Sequence, residues 1–207
     1  ELKDFYCDQY YQINKPNYIL DDLKERAYLE IAYDERLKIL SSLTSGKSIL
    51  DVGCGSGLFM DFLKRKGWTP VGIEPSSLAA KQAKKRGLEI FQGELEDFIL
   101  ESRIKFDVVH LKNVLEHVLS PEQTLKHCMM LLNNGGVIYT EVPNDYQFIQ
   151  KLGTSLLNER KSWISVPDHI NYFNFTSLKK LLHKVGLKPV KMTTTFPIYL
   201  LLFFGFN

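Results

Sequence analysis

A chain of 207 residues with 44% hydrophobic, 12% aromatic and 24% charged side chains has the balance of one large globular domain. That balance excludes disordered and collagen-like classes, and a core of this size needs no disulfide or metal staples. With 26 basic against 24 acidic residues the net charge is +2, short of the basic excess that marks nucleic-acid binding, so no nucleic-acid partner is expected.

Along the chain, Tyr10 to Tyr18 reads as an irregular arm. Leu23, Ala27, Ile31, Leu37, Leu40 and Leu43 then recur at helical spacing and predict a helix over Asp22–Leu43. After Gly46, short apolar runs alternate with amphipathic segments. Strands are predicted at Ser48–Val52, Thr69–Glu74, Leu88–Gln92, Phe106–Leu111 and Val137–Val142. Helices are predicted at Leu58–Lys66, Ser76–Arg86 and Glu94–Ser102, and from Ser120 to Leu132, with Ser120 as cap and Pro121 at the first helical position. Asn134-Gly135-Gly136 reads as the turn before the fifth strand. Pro143 to Phe175, rich in Asn, Trp, Tyr and His, reads as a lid-like insertion over the carboxyl edge of the sheet. A helix over Thr176–Val185, stopped by Gly186, and a sixth strand over Leu187–Thr195 follow.

Strand and helix in strict alternation imply an α/β fold with a doubly wound, mostly parallel sheet. The expected organisation is a helical N-terminal arm over residues 1–46, a ligand-binding domain over 47–196 with its insertion at 143–175, and an apolar tail over 197–207. The tail is too short to span a membrane, as that takes about 20 apolar residues. It lacks the polar hairpin that precedes a last antiparallel strand, so the chain reads as truncated, with Ile198–Phe204 packing as a helix or covering an exposed apolar surface, a patch that, left open, would favour a homodimer or a membrane-surface contact. Cys7, Cys54 and Cys128 are odd in number and far apart. They frame no disulfide network or zinc site, and a cytoplasmic setting fits them best.

The chemistry concentrates where Ile49 to Gly57 joins the first strand to its helix. The run is GxGxG, not the GxGxxG of a dinucleotide fingerprint, and no Gly-Lys-Ser/Thr ending makes it a Walker loop. Asp51 beside the turn suits an ammonium group and suits a pyrophosphate poorly, unless it only bonds the backbone of a neighbouring loop.

These residues resemble the class I S-adenosylmethionine-dependent methyltransferases. The resemblance rests on LDVGCGSG (Leu50 to Gly57), VGIEPS with Glu74, GELEDF (Gly93 to Phe98), FDVVHLKNVLEHV (Phe106 to Val118) and NNGGVIYTEVPN (Asn133 to Asn144), and runs from Ser48 to about Lys191. Its style, including LEHV and PDHINYF, is similar to the ubiquinone-biosynthesis O-methyltransferases and the broad methyltransferase-domain group around them. It implies a Rossmann-like class I fold, S-adenosylmethionine as cofactor and S-adenosylhomocysteine as product.

It also implies roles. Gly53, Cys54, Gly55 and Gly57 would pass beneath the methionine and ribose, and Asp51 would hold the ammonium. Glu74, followed by Pro75, would take the ribose hydroxyls, or else only cap the next helix. Glu94, Leu95 and Glu96 are the adenine candidates, with the two carboxylates undecided, and Leu111 offers backbone groups at the end of the fourth strand. Tyr10 and Tyr11 would fold over the cofactor.

Methyl transfer is an in-line displacement in which the enzyme mainly positions the nucleophile, and a base helps when the acceptor is a hydroxyl. His169 and His117 are the candidate bases, and Asn144, Trp163 and Tyr172 the candidate lining of an acceptor pocket. In the ubiquinone-type enzymes the loop after the fourth strand reads Glu-x-x-Glu-His and is linked to a divalent metal. Here Asn113 replaces the first Glu, so no metal is expected. His110 reads as structural. The expected function is methyl transfer, foremost to oxygen, on a small-molecule, sugar or lipid-like acceptor. A non-catalytic cofactor-binding module and an NAD-linked oxidoreductase are the alternatives.

Overall fold

Five short apolar runs form strands β1 (Ser48–Val52), β2 (Thr69–Glu74), β3 (Glu89–Gln92), β4 (Phe106–Lys112) and β5 (Leu132–Glu141). The computed structural model describes residues 26–146, 164–166 and 168–194, with side chains from residue 29 onward. The chain divides into two compact units, residues 1–142 and 143–207. Helices α1 (Arg26–Leu43), α2 (Leu58–Arg65), α3 (Ser77–Lys85), α4 (Leu95–Glu101) and α5 (Pro121–Met130) belong to the first unit, and α6 (Phe175–Lys184) to the second.

The strands pair in parallel in the order β3-β2-β1-β4-β5. The order reverses between β1 and β4, and this is where open α/β sheets leave a ligand crevice at the carboxyl ends of the strands. Successive strand residues alternate faces. Ile49 and Val108 join Tyr33 and Leu40 of α1, Phe59, Phe62 and Leu63 of α2, and Trp68 in one buried cluster. Met60, Ala83 and Leu88 form a second cluster.

Helix starts follow the cap chemistry. Ser76 Oγ accepts from Ala79 N, and Ser120 Oγ from Gln123 N with Pro121 at the first turn. Asn174 Oδ1 accepts from Ser177 N, and Ser177 Oγ from Asn174 N, so α6 opens on a reciprocal box. In the second unit Asp145 is buried, and its backbone and carboxylate both bond Phe173.

Two predicted features differ. Asn134-Gly135-Gly136 does not precede the fifth strand but lies inside it. Leu132 already faces Phe106, and the register resumes at Val137 opposite Val108, so residues 133–136 bulge. Asn133 anchors the bulge by donating from Nδ2 to Asp107 Oδ1 at 2.9 Å, and Gly135 takes a φ of 75°. The sixth strand over Leu187–Thr195 does not form over residues 187–194. Pro189 removes a ladder donor there, and Val190, at 69% exposure, buries nothing. The arm with Tyr10 and Tyr11, Trp163, much of the predicted insertion, and the tail with Ile198–Phe204 lie outside the described residues. No helix among the described residues is long and apolar enough to cross a membrane.

Gly57 precedes α2 at a φ of 78° and ψ of 18°, and a Cβ there would stand 2.5 Å from Leu88 Cδ1 and 3.0 Å from Ala83 Cβ. Gly57→Ala is therefore expected to destabilise the protein by roughly 1–3 kcal/mol, from left-handed strain plus overpacking. Urea unfolding with an unchanged midpoint would contradict this.

Candidate active site

The glycine loop is built against β2. Gly53 and Cys54 donate their N–H groups to Ile73 O at 2.8 and 3.1 Å, and Gly57 donates to Cys54 O at 3.1 Å. Gly53, Gly55 and Gly57 have φ of 70°, 57° and 78°, a left-handed run that side chains resist. Loop and strand meet so closely that a Cβ on Gly72 would stand 2.6 Å from Cys54 Sγ. Burial pushes the Cys54 thiol well up, and Asp51 and Glu74 add to it, so Cys54 packs as a neutral thiol.

Glu74, at the end of β2, is 3% exposed. Its Oε2 accepts from Gly55 N at 2.8 Å and its Oε1 from Ser76 N at 2.9 Å. The carboxylate thus ties the glycine loop to the start of α3. Burial pushes it up to about 7, against the pull of the two N–H groups, with Asp51 and Glu94 raising it further. Half-buried Pro75 stands between Glu74 and the cap residue Ser76.

The acids after β3 part company. Glu94 caps α4, its own N–H bonding Asp97 Oδ2 at 3.4 Å, and lies near enough to act on Glu74. Glu96 turns away, its Oε1 3.2 Å from Nδ1 of His127 on α5. Leu95 and Leu111 are buried.

On the other side of the switch point, Asp51 pairs in register with His110, and His110 with Tyr139. Asp51 Oδ1 lies 2.6 Å from His110 Nδ1. The imidazole stacks on Tyr139 at 5.0 Å and 19° and meets the Phe59 ring at 4.9 Å. Tyr139 donates to Glu141 Oε2 at 3.0 Å, which also takes Arg36 Nη2 at 3.1 Å. The guanidinium of Arg36 stands 4.7 Å from the Phe59 ring centroid. Sequence reasoning missed Arg36, Tyr139 and Glu141 and read His110 as structural. The available signal was the doubly wound order itself, which makes β1 and β4 neighbours and sets Asp51 beside His110.

Asn113, at a φ of 54°, donates its backbone N–H to Glu141 O at 2.9 Å. Glu116 is buried in the loop after β4, with an oxygen 3.9 Å from His117 Nε2. His169, Asn144 and Tyr172 belong to the second unit. There His169 donates its backbone N–H to Ser165 O, its ring meets Tyr172 edge-on at 6.2 Å, and Asn144 and Tyr172 are half-buried.

A glycine loop locked to a buried acid at the end of β2, on a sheet of this order, defines a Rossmann-like fold of the class I methyltransferase type. A family model described as a methyltransferase domain matches residues 23–192. The chain belongs to that methyltransferase-domain family. A ubiquinone biosynthesis O-methyltransferase from Citrobacter koseri is 27% identical over 170 residues, covering 74% of this chain and 70% of the relative. Among solved structures, the plantazolicin methyltransferase BpumL in complex with SAH superposes at a TM-score of 0.66 with 18% identity, over 89% of this chain and 73% of that one. A SAM-dependent methyltransferase from Archaeoglobus fulgidus gives 0.61 with 17% identity, over 90% and 89%. These likenesses establish the fold, and neither an NAD-linked oxidoreductase nor a non-catalytic module finds support among them.

The folded state holds Glu141 below its ordinary value: burial opposes this, but Lys112 and Arg36 outweigh it. Arg36→Met, which keeps the apolar contacts, is expected to cost roughly 1–3 kcal/mol at neutral pH, less than a fully buried pair because Glu141 is partly exposed. A depressed carboxylate stabilises above its unfolded pKa and loses that as pH falls through its folded one. The gap between wild type and variant should therefore narrow in urea titrations below about pH 4. A gap that persists there would assign the loss to packing.

Proposed function

We propose that the chain binds S-adenosylmethionine at the carboxyl edge of β1 and β2 and moves its methyl group to a hydroxyl oxygen of a small-molecule acceptor. The observation that carries this reading is the Glu74 carboxylate, buried and bonded to Gly55 N and Ser76 N. A carboxylate has about four acceptor positions. Two hold the loop, and two remain for a pair of hydroxyl donors such as those of a ribose. Asp51, beside the loop on β1, suits the ammonium. Glu94 suits the adenine amino group better than Glu96, which is turned to His127.

The bound donor would supply a methyl on a positive sulfonium: the S–CH₃ bond breaks as the O–CH₃ bond forms, and the bonding pair returns to sulfur. The chain's own task is to orient the two reactants and to exclude water. His117 and His169 are the groups proposed to accept the hydroxyl proton, since a neutral imidazole keeps one ring nitrogen as an acceptor. The named O-methyltransferase relative supports oxygen as the acceptor atom. The near-neutral net charge of +2 favours a small molecule over nucleic acid.

Calorimetry should find S-adenosylhomocysteine bound one to one and NAD not bound; the reverse would overturn the reading. Glu74→Gln should weaken S-adenosylhomocysteine by roughly 10- to 100-fold, the scale of a lost charged hydrogen bond. Only the ionised carboxylate accepts from both hydroxyls, so with Glu74 at about 7 in the free protein, wild-type affinity should rise about tenfold from pH 6 to pH 8. Glu74→Gln should flatten that slope. A variant that binds as tightly as wild type at every pH would remove Glu74 from the ribose site.

A further inference from the structure

His110 pairs with Asp51, and the roles above leave that imidazole unused. The two are register partners on adjacent parallel strands, with Asp51 4% and His110 2% exposed and Oδ1 and Nδ1 2.6 Å apart. A carboxylate only accepts, so the proton of this contact sits on Nδ1 and the imidazole is the donor. The ring is clamped. Tyr139 stacks on it, Phe59 closes on it at 40°, and Tyr139 is itself held by Glu141 and, through Glu141, by Arg36. One oxygen of Asp51 is thereby held by a buried imidazole packed between two aromatic rings. The other, Oδ2, takes no hydrogen bond among the described residues, although Asp51 stands two residues before Gly53 at the switch point. Oδ2 is not shut away without a partner as His110 Nε2 is, so it stands open to solvent, where a ligand's donor can reach it.

We propose that His110 is a positioning residue for the cofactor: by holding Oδ1 of Asp51 it presents Oδ2 to the ammonium of the methionine moiety. This rests on the S-adenosylmethionine reading above. Its energetic logic is preorganisation, since an aspartate already locked in one rotamer loses no further freedom on meeting its ligand. The imidazole touches no ligand itself and acts only through Asp51.

The test compares two ligands that differ in the amino-acid moiety. S-adenosylhomocysteine carries the ammonium, and 5′-methylthioadenosine keeps the adenosine but lacks it. In His110→Phe, which preserves the stacked ring and removes the donor, S-adenosylhomocysteine should weaken by roughly tenfold while 5′-methylthioadenosine stays within about twofold of wild type. His110→Asn, whose Nδ2 can stand in for the lost donor, should restore the ratio of the two affinities to within about threefold of wild type. That ratio is measured within one sample and does not depend on how much of the variant folds, so either variant alone decides the matter. Equal weakening of both ligands, or no change in either, would overturn the proposal and leave His110 a packing residue. A collapsed ratio in His110→Asn would overturn it too. Wild-type protein that binds neither ligand would instead sink the cofactor reading, and this proposal with it.

Discussion

The carboxyl edge of the sheet depends on one buried anion. Glu74 sits at the end of β2 with its two oxygens bonded to Gly55 N and Ser76 N, so one side chain sets the path of the glycine loop and the starting point of α3. Burial makes that anion expensive, and the carboxyl lies at about 7 in place of its ordinary 4.5. Strained titration of this kind gathers at functional sites, where a ligand's donors later offset the desolvation.

The second half of the edge is organised by a row across three strands. Asp51, His110 and Tyr139 are neighbours in register, and the row ends in the ion pair of Glu141 with Arg36. Ile49 and Val108, two residues earlier on the same face, are wholly buried in the cluster with α1 and α2. The face therefore changes from apolar to polar within one pleat as it reaches the switch point. α1 does more than cover the sheet: it brings a guanidinium to the end of β5.

The fold was largely legible because its signals are local. Pro121 behind Ser120, Ser76 before an alanine-rich turn, and three glycines between an apolar run and an amphipathic one each dictate backbone geometry at their own positions. The misses have equally physical causes. Asn134-Gly135-Gly136 has turn chemistry, but Asn133 fastens the turn to Asp107 within a continuing strand. Leu187–Thr195 has strand-like spacing, yet Pro189 cannot donate and its neighbours bury too little. At the site, Asp51 and Glu74 stood out because they flank the loop in sequence. Arg36 looked like any charge on an amphipathic helix, and His110 like a lone imidazole in a strand. Their partners, 105 and 59 residues away, are set by strand order and not by proximity in the chain.

Charge then decides between ligand classes that glycine spacing alone leaves close. Asp51 and Glu94 both raise Glu74, and Asp51 and Glu74 both raise Cys54, so acids from the ends of β1 and β2 and from the start of α4 share one neighbourhood beside the glycine loop. A pyrophosphate placed against that loop would meet repulsion from Asp51, whereas dinucleotide folds offer it a helix N-terminus. A ligand with a cationic ammonium and a cationic sulfonium meets the opposite field. An acidic edge of this kind therefore favours a cationic ligand over a phosphate-bearing one.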